Sequence, residues 1–173
     1  IGGGGEWMLR LGMKTDKRIT AVRESIEMVK RSSADKPLAY HGQVFKVYGF
    51  QPKYATDPAP LVYAGANREK MLRASVAAGD GVMYSDMPRG LVQKMTDTVR
   101  EALQAAGRPV EGYRISNIWA WHFKQDREAA LHEARRELLL RGWLDTWYLE
   151  SFLSADESDF ITQNKGAFYK AYL

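Results

Sequence analysis

The 173 residues carry 25 Lys and Arg against 21 Asp and Glu, a net charge of +4, and are 45% hydrophobic, the balance of an ordinary globular unit rather than of a disordered chain. Cysteine is absent, which excludes a disulfide framework, a thiolate metal site and a thiol nucleophile, and leaves carboxylates, His, Lys, Tyr or a bound organic cofactor to carry any chemistry. No apolar run approaches the ~20 residues that cross a bilayer and the first residues lack a signal-peptide pattern, so a cytoplasmic address with no membrane partner is expected.

The opening IGGGGEW can be a flexible stretch, a phosphate-cradling loop or a strand end that leaves room for a ligand. It fails the dinucleotide fingerprint, because Gly2 and Gly4 would require glycine at position 7, which is Trp7. From Lys17 to Arg31 the spacing of Ile19, Val22, Ile26 and Val29 predicts a helix with one apolar face, and places Arg18, Arg23, Glu24 and Lys30 around its other sides. YHGQVFKVYGF reads as a strand or hairpin, with Gly42 and Gly49 as turn points. Pro58 and Pro60 then delimit an apolar run, Leu61 to Ala64, of the kind buried on both faces of a parallel sheet.

A second helix is expected from about Asn67 to Ala78, stopped by AAGDG because glycine tolerates a left-handed backbone, and GVMYS is the next strand. Pro88 opens a helix carrying Val92, Met95, Val99 and Leu103 on one stripe and ending at Gly107. YRISNIWAWHF reads as a longer strand, with Trp119 and Trp121 facing the core and Ser116, Ala120 and His122 the other side. A helix from Arg127 to Arg141 follows, with Leu131, Ala134 and Leu138 inward and Gly142 closing it, and Ser154 with Glu157 is a capping box for a last helix. The alternation of strands and helices predicts right-handed crossovers and a parallel sheet in one domain.

Ligands of such sheets sit at the carboxyl ends of the strands, here GGGGE, YAGAN, YSDMPRG and WAWHFKQ. At YAGAN, Gly65 and Ala66 let backbone amides approach a phosphate where the next helix begins, although any strand-to-helix turn favours Gly and Asn. Ser85 and Asp86 either orient a polar ligand or cap a helix, and Arg89 either pairs with an anion or is solvated. His122 reads as a ring contact or proton donor, or as a histidine satisfied by the backbone; His41, His122 and His132 lack metal-ligand spacing, so no metal site is expected. The basic residues mostly alternate with acids, as across Arg127, Glu128, Glu133, Arg135, Arg136 and Glu137, which argues for a solvated face and against nucleic acid. Their excess before about residue 53 suits an anionic cofactor or substrate.

Taken in order, GGGGE, RITAVRESIEMVKR, YHGQVFKV, PLVYAGANREKMLRASVAAGDGVMYSD and RISNIWAWH resemble the luciferase-like monooxygenase superfamily, and within it the deazaflavin-dependent, methylenetetrahydromethanopterin reductase-like branch. The resemblance implies an α/β fold, a partial (β/α)8 TIM barrel in which residues 1–173 form a single domain matching about strands four to seven, with a β-hairpin insertion and C-terminal helices. The first three strands and the last are then expected to be absent, and an open part-barrel to self-associate as a homo-oligomer. The resemblance further implies coenzyme F-420 or, second, FMN at the carboxyl end of the strands, and hydride transfer to or from a small organic substrate. FMN-dependent monooxygenation and a non-catalytic binding or self-associating module are the alternatives. Matched position by position, Gly4 and Gly5 leave space beside the ring and Glu6 is the active-site acid. Gly65, Ala66 and Asn67 hold the phosphate and ribityl tail, Ser85 and Asp86 end the sixth strand, and Arg89 lies near the place of a substrate-binding base.

Overall fold

The computed structural model describes residues 1–3, 11–12, 16–54, 56, 58–140, 144, 146–150 and 153–173. By internal contacts the chain divides into two compact units, Ile1–Met87 with Val92–Ile118, and Pro88–Leu91 with Trp119–Leu173.

The first unit contains α1 (Arg18–Arg31), a hairpin of β1 (Leu38–His41) and β2 (Lys46–Phe50), then β3 (Tyr63–Gly65), α2 (Glu69–Val76), β4 (Gly81–Ser85), most of α3 (Arg89–Ala105) and β5 (Arg114–Ile118). β3, β4 and β5 form a parallel sheet in chain order, and Gly2 extends it by a parallel bridge to Gly65. The alternation read from the sequence is therefore the observed topology, with β4 covering the same five residues, GVMYS.

The α1 helix meets the sheet through Val22 and Ile26, which are buried with Val62 and Ala64 and flanked by Met71 and Ala78. Only the middle of the expected apolar stripe is covered, and Ile19 and Val29 are exposed. The run Leu61 to Ala64, expected to be buried on both faces, alternates instead: α1 covers the face carrying Val62 and Ala64, while Leu61 is 53% exposed. In β4, Val82 and Tyr84 are fully buried, and α3 buries Met95, Thr98, Val99, Ala102 and Leu103. Gly107, at φ +63°, closes α3: its N–H donates to the Gln104 carbonyl and the Arg108 N–H to the Leu103 carbonyl, a left-handed C-cap.

Two glycine readings change. Gly49 is not a turn but lies within β2 at φ +76°, skipped in the register between Ala39↔Tyr48 and Leu38↔Phe50, so it is the extra residue of a β-bulge. Gly79 and Gly81 are not left-handed; Gly81 is required by space, since a Cβ there would lie 2.5 Å from the Arg114 carbonyl oxygen and 2.6 Å from the Tyr63 ring, and Gly79 is tightly enclosed, with a Cβ 3.2 Å from the Ser75 carbonyl oxygen.

Glu24, placed by the periodicity on the solvated side of α1, is 1% exposed. Its carboxylate accepts the backbone N–H groups of Gln43, Val44 and Phe45 at 2.7, 3.0 and 3.0 Å, and so fastens the hairpin turn to the helix. A Cβ on Gly42 would overlap that carboxylate. Burial opposes ionisation of Glu24, but the three amides outweigh it and hold the carboxyl below its ordinary value. Beside it the Tyr40 hydroxyl donates to Glu27 at 2.6 Å, and burial with that acid pushes Tyr40 up to about 12.

The second unit holds α4 (Arg127–Leu140), α5 (Thr146–Leu149) and α6 (Ala155–Tyr172), with α6 packed on α4 and the His132 ring 5.4 Å from that of Tyr172. The capping box is present: the Ser154 hydroxyl accepts the Glu157 N–H, and the Glu157 carboxylate accepts the Ser154 N–H at 2.9 Å. Leu138, expected inward, is exposed and Leu139 is the buried residue of α4, while Gly142 lies outside the described residues. No described helix is long and apolar enough to cross a membrane.

Candidate functional site at the carboxyl edge of the sheet

The turn after β3 and the turn after β4 lie side by side because their strands are paired, Gly65 opposite Met83. The Gly65 N–H donates to the Ile1 carbonyl at 2.7 Å and the Ala66 N–H to the Met83 carbonyl at 3.1 Å. Both amides expected to cradle a phosphate thus belong to the sheet ladder. The amides that point onward are those of the first turn of α2, whose N-cap, Arg68, supplies no side-chain cap.

Gly65 itself is exposed and has no positive φ, and among the described residues a Cβ there would meet Gly2 Cα and the Ile1 carbonyl, both at 3.7 Å. Neither the backbone conformation nor packing against the described residues requires glycine at this position. A glycine of this kind leaves its surface open to close approach by a ligand.

Asn67 spans the two turns. Its Nδ2 donates to the Ser85 carbonyl at 2.8 Å and its Oδ1 accepts the Ser85 N–H at 2.9 Å, so its carboxamide pairs with the backbone of the neighbouring strand end. Its side chain is thereby committed to the protein, and what it offers outward is its own backbone. The Ser85 side chain is exposed, with its hydroxyl donating to the Asp86 carboxylate at 3.2 Å. Asp86 has φ +49°, the one described non-glycine residue in the left-handed region, and its N–H donates to the Ile118 carbonyl at 2.7 Å. Asn117, which the sequence reading passed over, completes the set. Its Oδ1 accepts the Met87 N–H at 3.2 Å and its Nδ2 donates to the Met87 carbonyl at 3.1 Å. The signal that could have found it is a primary amide inside an otherwise aromatic and β-branched strand, a group that needs partners when partly buried.

The strand expected to run to Phe123 stops at Ile118, because β4 ends opposite it at Ser85 and the chain turns at Asp86, leaving no ladder beyond. Trp119 and Trp121, expected in the core, are 46% and 76% exposed, and Trp121 stacks on Phe123 with ring centres 6.0 Å apart. In the second unit the His122 Nδ1 lies 3.4 Å from Glu133, whose other oxygen holds Lys124 at 2.6 Å. Lys124 first, and His122 second, keep the Glu133 carboxyl below its usual range. His122 is therefore tied to an acid of α4. Arg89 is the exposed first residue of α3. Gly4, Gly5 and Glu6 lie outside the described residues.

The fold has counterparts among known proteins. A reductase of Archaeoglobus fulgidus, 5,10-methylenetetrahydromethanopterin reductase, is 25% identical over 126 residues, which are 73% of this chain and 38% of that one. The solved coenzyme F-420-dependent tetrahydromethanopterin reductase of Methanopyrus kandleri superposes with a TM-score of 0.77 at 17% identity, over 99% of this chain and 55% of its own. An F-420-dependent secondary alcohol dehydrogenase, solved with an F-420-acetone adduct, gives 0.69 at 17% identity over 88% of this chain and 46% of its own. The chain thus spans about half the length of these relatives or less, and the fold is part of a TIM barrel. The family model for luciferase-like monooxygenases matches residues 1–170, and the chain belongs to that family.

Proposed function

We propose that the chain is part of an oxidoreductase that uses coenzyme F-420 at the carboxyl edge of its sheet and acts on a small organic substrate. The observation that carries this reading is the exposed Gly65 surface beside the start of α2, which has no side-chain cap, in a chain of this family that shares its fold with a coenzyme F-420-dependent reductase. The residues present fit such a group, because a glycine face accepts a flat ring or tail closely and helix-terminal amides attract a phosphate. When bound, the deazaflavin supplies hydride chemistry.

The chain's own residues bind and orient it. The backbone from Gly65 to Asn67 lines the approach and the first-turn amides of α2 meet the phosphate. The Ser85 hydroxyl, whose proton goes to the Asp86 carboxylate, offers its lone pairs at the adjacent rim beside that carboxylate, and the resemblance assigns Gly4 and Gly5 to the ring and Glu6 to holding or moving a proton. Arg89 and His122, both in the second unit, are the residues that the sequence assigns to the substrate. The free edge of β5, where Ile118 is 52% exposed, supports self-association of the chain, to be read by light scattering.

Fluorescence titration of the protein with coenzyme F-420 and, in parallel, with FMN tests the reading. Saturable binding of the deazaflavin in preference to FMN is expected. Preference for FMN would move the protein to flavin-dependent monooxygenation, and binding of neither would leave a non-catalytic module.

A further inference from the structure

We infer that Asn117 is a positioning residue for the carboxyl-edge site, its carboxamide holding the Ser85-Asp86-Met87 turn in the shape that presents the Ser85 hydroxyl and the Asp86 carboxylate. The inference rests on the reading of this edge as the place where the cofactor binds.

A left-handed backbone is disfavoured for a residue with a side chain and persists where the surroundings fix it. Here three consecutive residues are fixed from both neighbouring strands. Asn67 pairs with both backbone groups of Ser85, the Ile118 carbonyl takes the Asp86 N–H, and Asn117 pairs with both backbone groups of Met87. Met87, 2% exposed, anchors the underside of the turn in the core. A primary amide is the side chain that matches a peptide group with one donor and one acceptor in a plane; aspartate has the same shape and lacks the donor. The two asparagines are thus equivalent devices on either side of β4, one just after β3 gripping the end of β4 and the other within β5 gripping the residue after the turn. Between them lie the exposed Ser85 hydroxyl and the half-buried Asp86 carboxylate that accepts it.

The test is Asn117→Asp, read in two ways. Amide hydrogen exchange should accelerate at least tenfold at Asp86 and Met87 while Val82 to Tyr84 stay protected, and the dissociation constant for coenzyme F-420 should rise about tenfold. Adding Asp86→Gly should slow exchange at position 86 again, because glycine holds the left-handed backbone unaided, a rescue that general loss of structure would not give. Unchanged exchange, or faster exchange with unchanged cofactor affinity, would overturn the positioning role. An unaltered chain that binds no deazaflavin would overturn the functional reading and the role together, whereas equal binding by the unaltered and variant proteins would overturn the role alone.

Discussion

At the amino end of the parallel sheet a methyl group added to Gly81 would strike the Arg114 carbonyl and the Tyr63 ring, whereas one added to Gly65 at the carboxyl end would rest at ordinary contact distance from two atoms. The polar groups differ in the same way. Asp80, just before β4, accepts Lys30 at 2.5 Å and the Val62 N–H at 2.9 Å, and Arg108 donates to the carbonyls of Val76 and Gly79. Those charges are consumed in closing the start of the sheet. At the other end the side chains of Asn67 and Asn117 grip backbone, while the Ser85 side chain is left exposed. The amino end is filled by side chains and backbone, and the carboxyl end has its turns clamped by asparagines with the Ser85 side chain exposed, which agrees with the division between the two faces of βα-barrels.

The largest expected effect belongs to the filled end. Gly81→Ala should destabilise the protein by about 3 kcal/mol, since the new methyl has backbone on one side and a ring on the other and neither can swing away. Chemical denaturation measures it, and a loss below about 1 kcal/mol would mean that the strands separate more easily than the sheet implies. Glu24→Gln follows: it keeps the shape but puts an NH2 among three N–H donors, and should cost about 2 kcal/mol in the same assay.

A pH titration of stability extends the comparison. Burial opposes the ionisation of Asp80, but Lys30 and the Val62 amide overcome it, so its carboxyl titrates below the usual carboxylate range, as does that of Glu24. Both stabilise the fold fully above the unfolded value near 4, and this stabilisation is lost as pH falls through the lowered folded values. Stability should therefore drop on acidification below about pH 4, and the drop should shrink in Asp80→Asn and in Glu24→Gln. An acid limb identical to that of the unaltered protein in both variants would place the sensitivity elsewhere.

Much of the fold was legible in the sequence because its signals are local. GVMYS is bounded by glycine and proline punctuation, the stripe of α3 repeats over about three turns, and the Ser154 and Glu157 pair lies within one turn. What was not legible depends on partners far along the chain. Glu24 looks like a solvated acid until its three amides arrive 19 to 21 residues later. Asn67 and Asn117 become clamps only once strand register sets them beside residues 18 and 30 positions away. The exposure of Trp119 and Trp121 likewise follows from where β4 stops, which their own pattern does not encode. In the candidate site the residue types at the strand ends were readable, and the engagement of the Gly65 and Ala66 amides in the ladder was not.

The smallest effect on stability, and the sharpest on function, should come from Gly65→Ala. Added methyl contacts of 3.7 Å predict a stability change within about 0.5 kcal/mol. Titration of this variant with coenzyme F-420, beside the unaltered protein, tests most directly whether the carboxyl edge is kept open for a ligand. At least tenfold weaker binding with unchanged denaturation is the result predicted, and binding of equal affinity would contradict it.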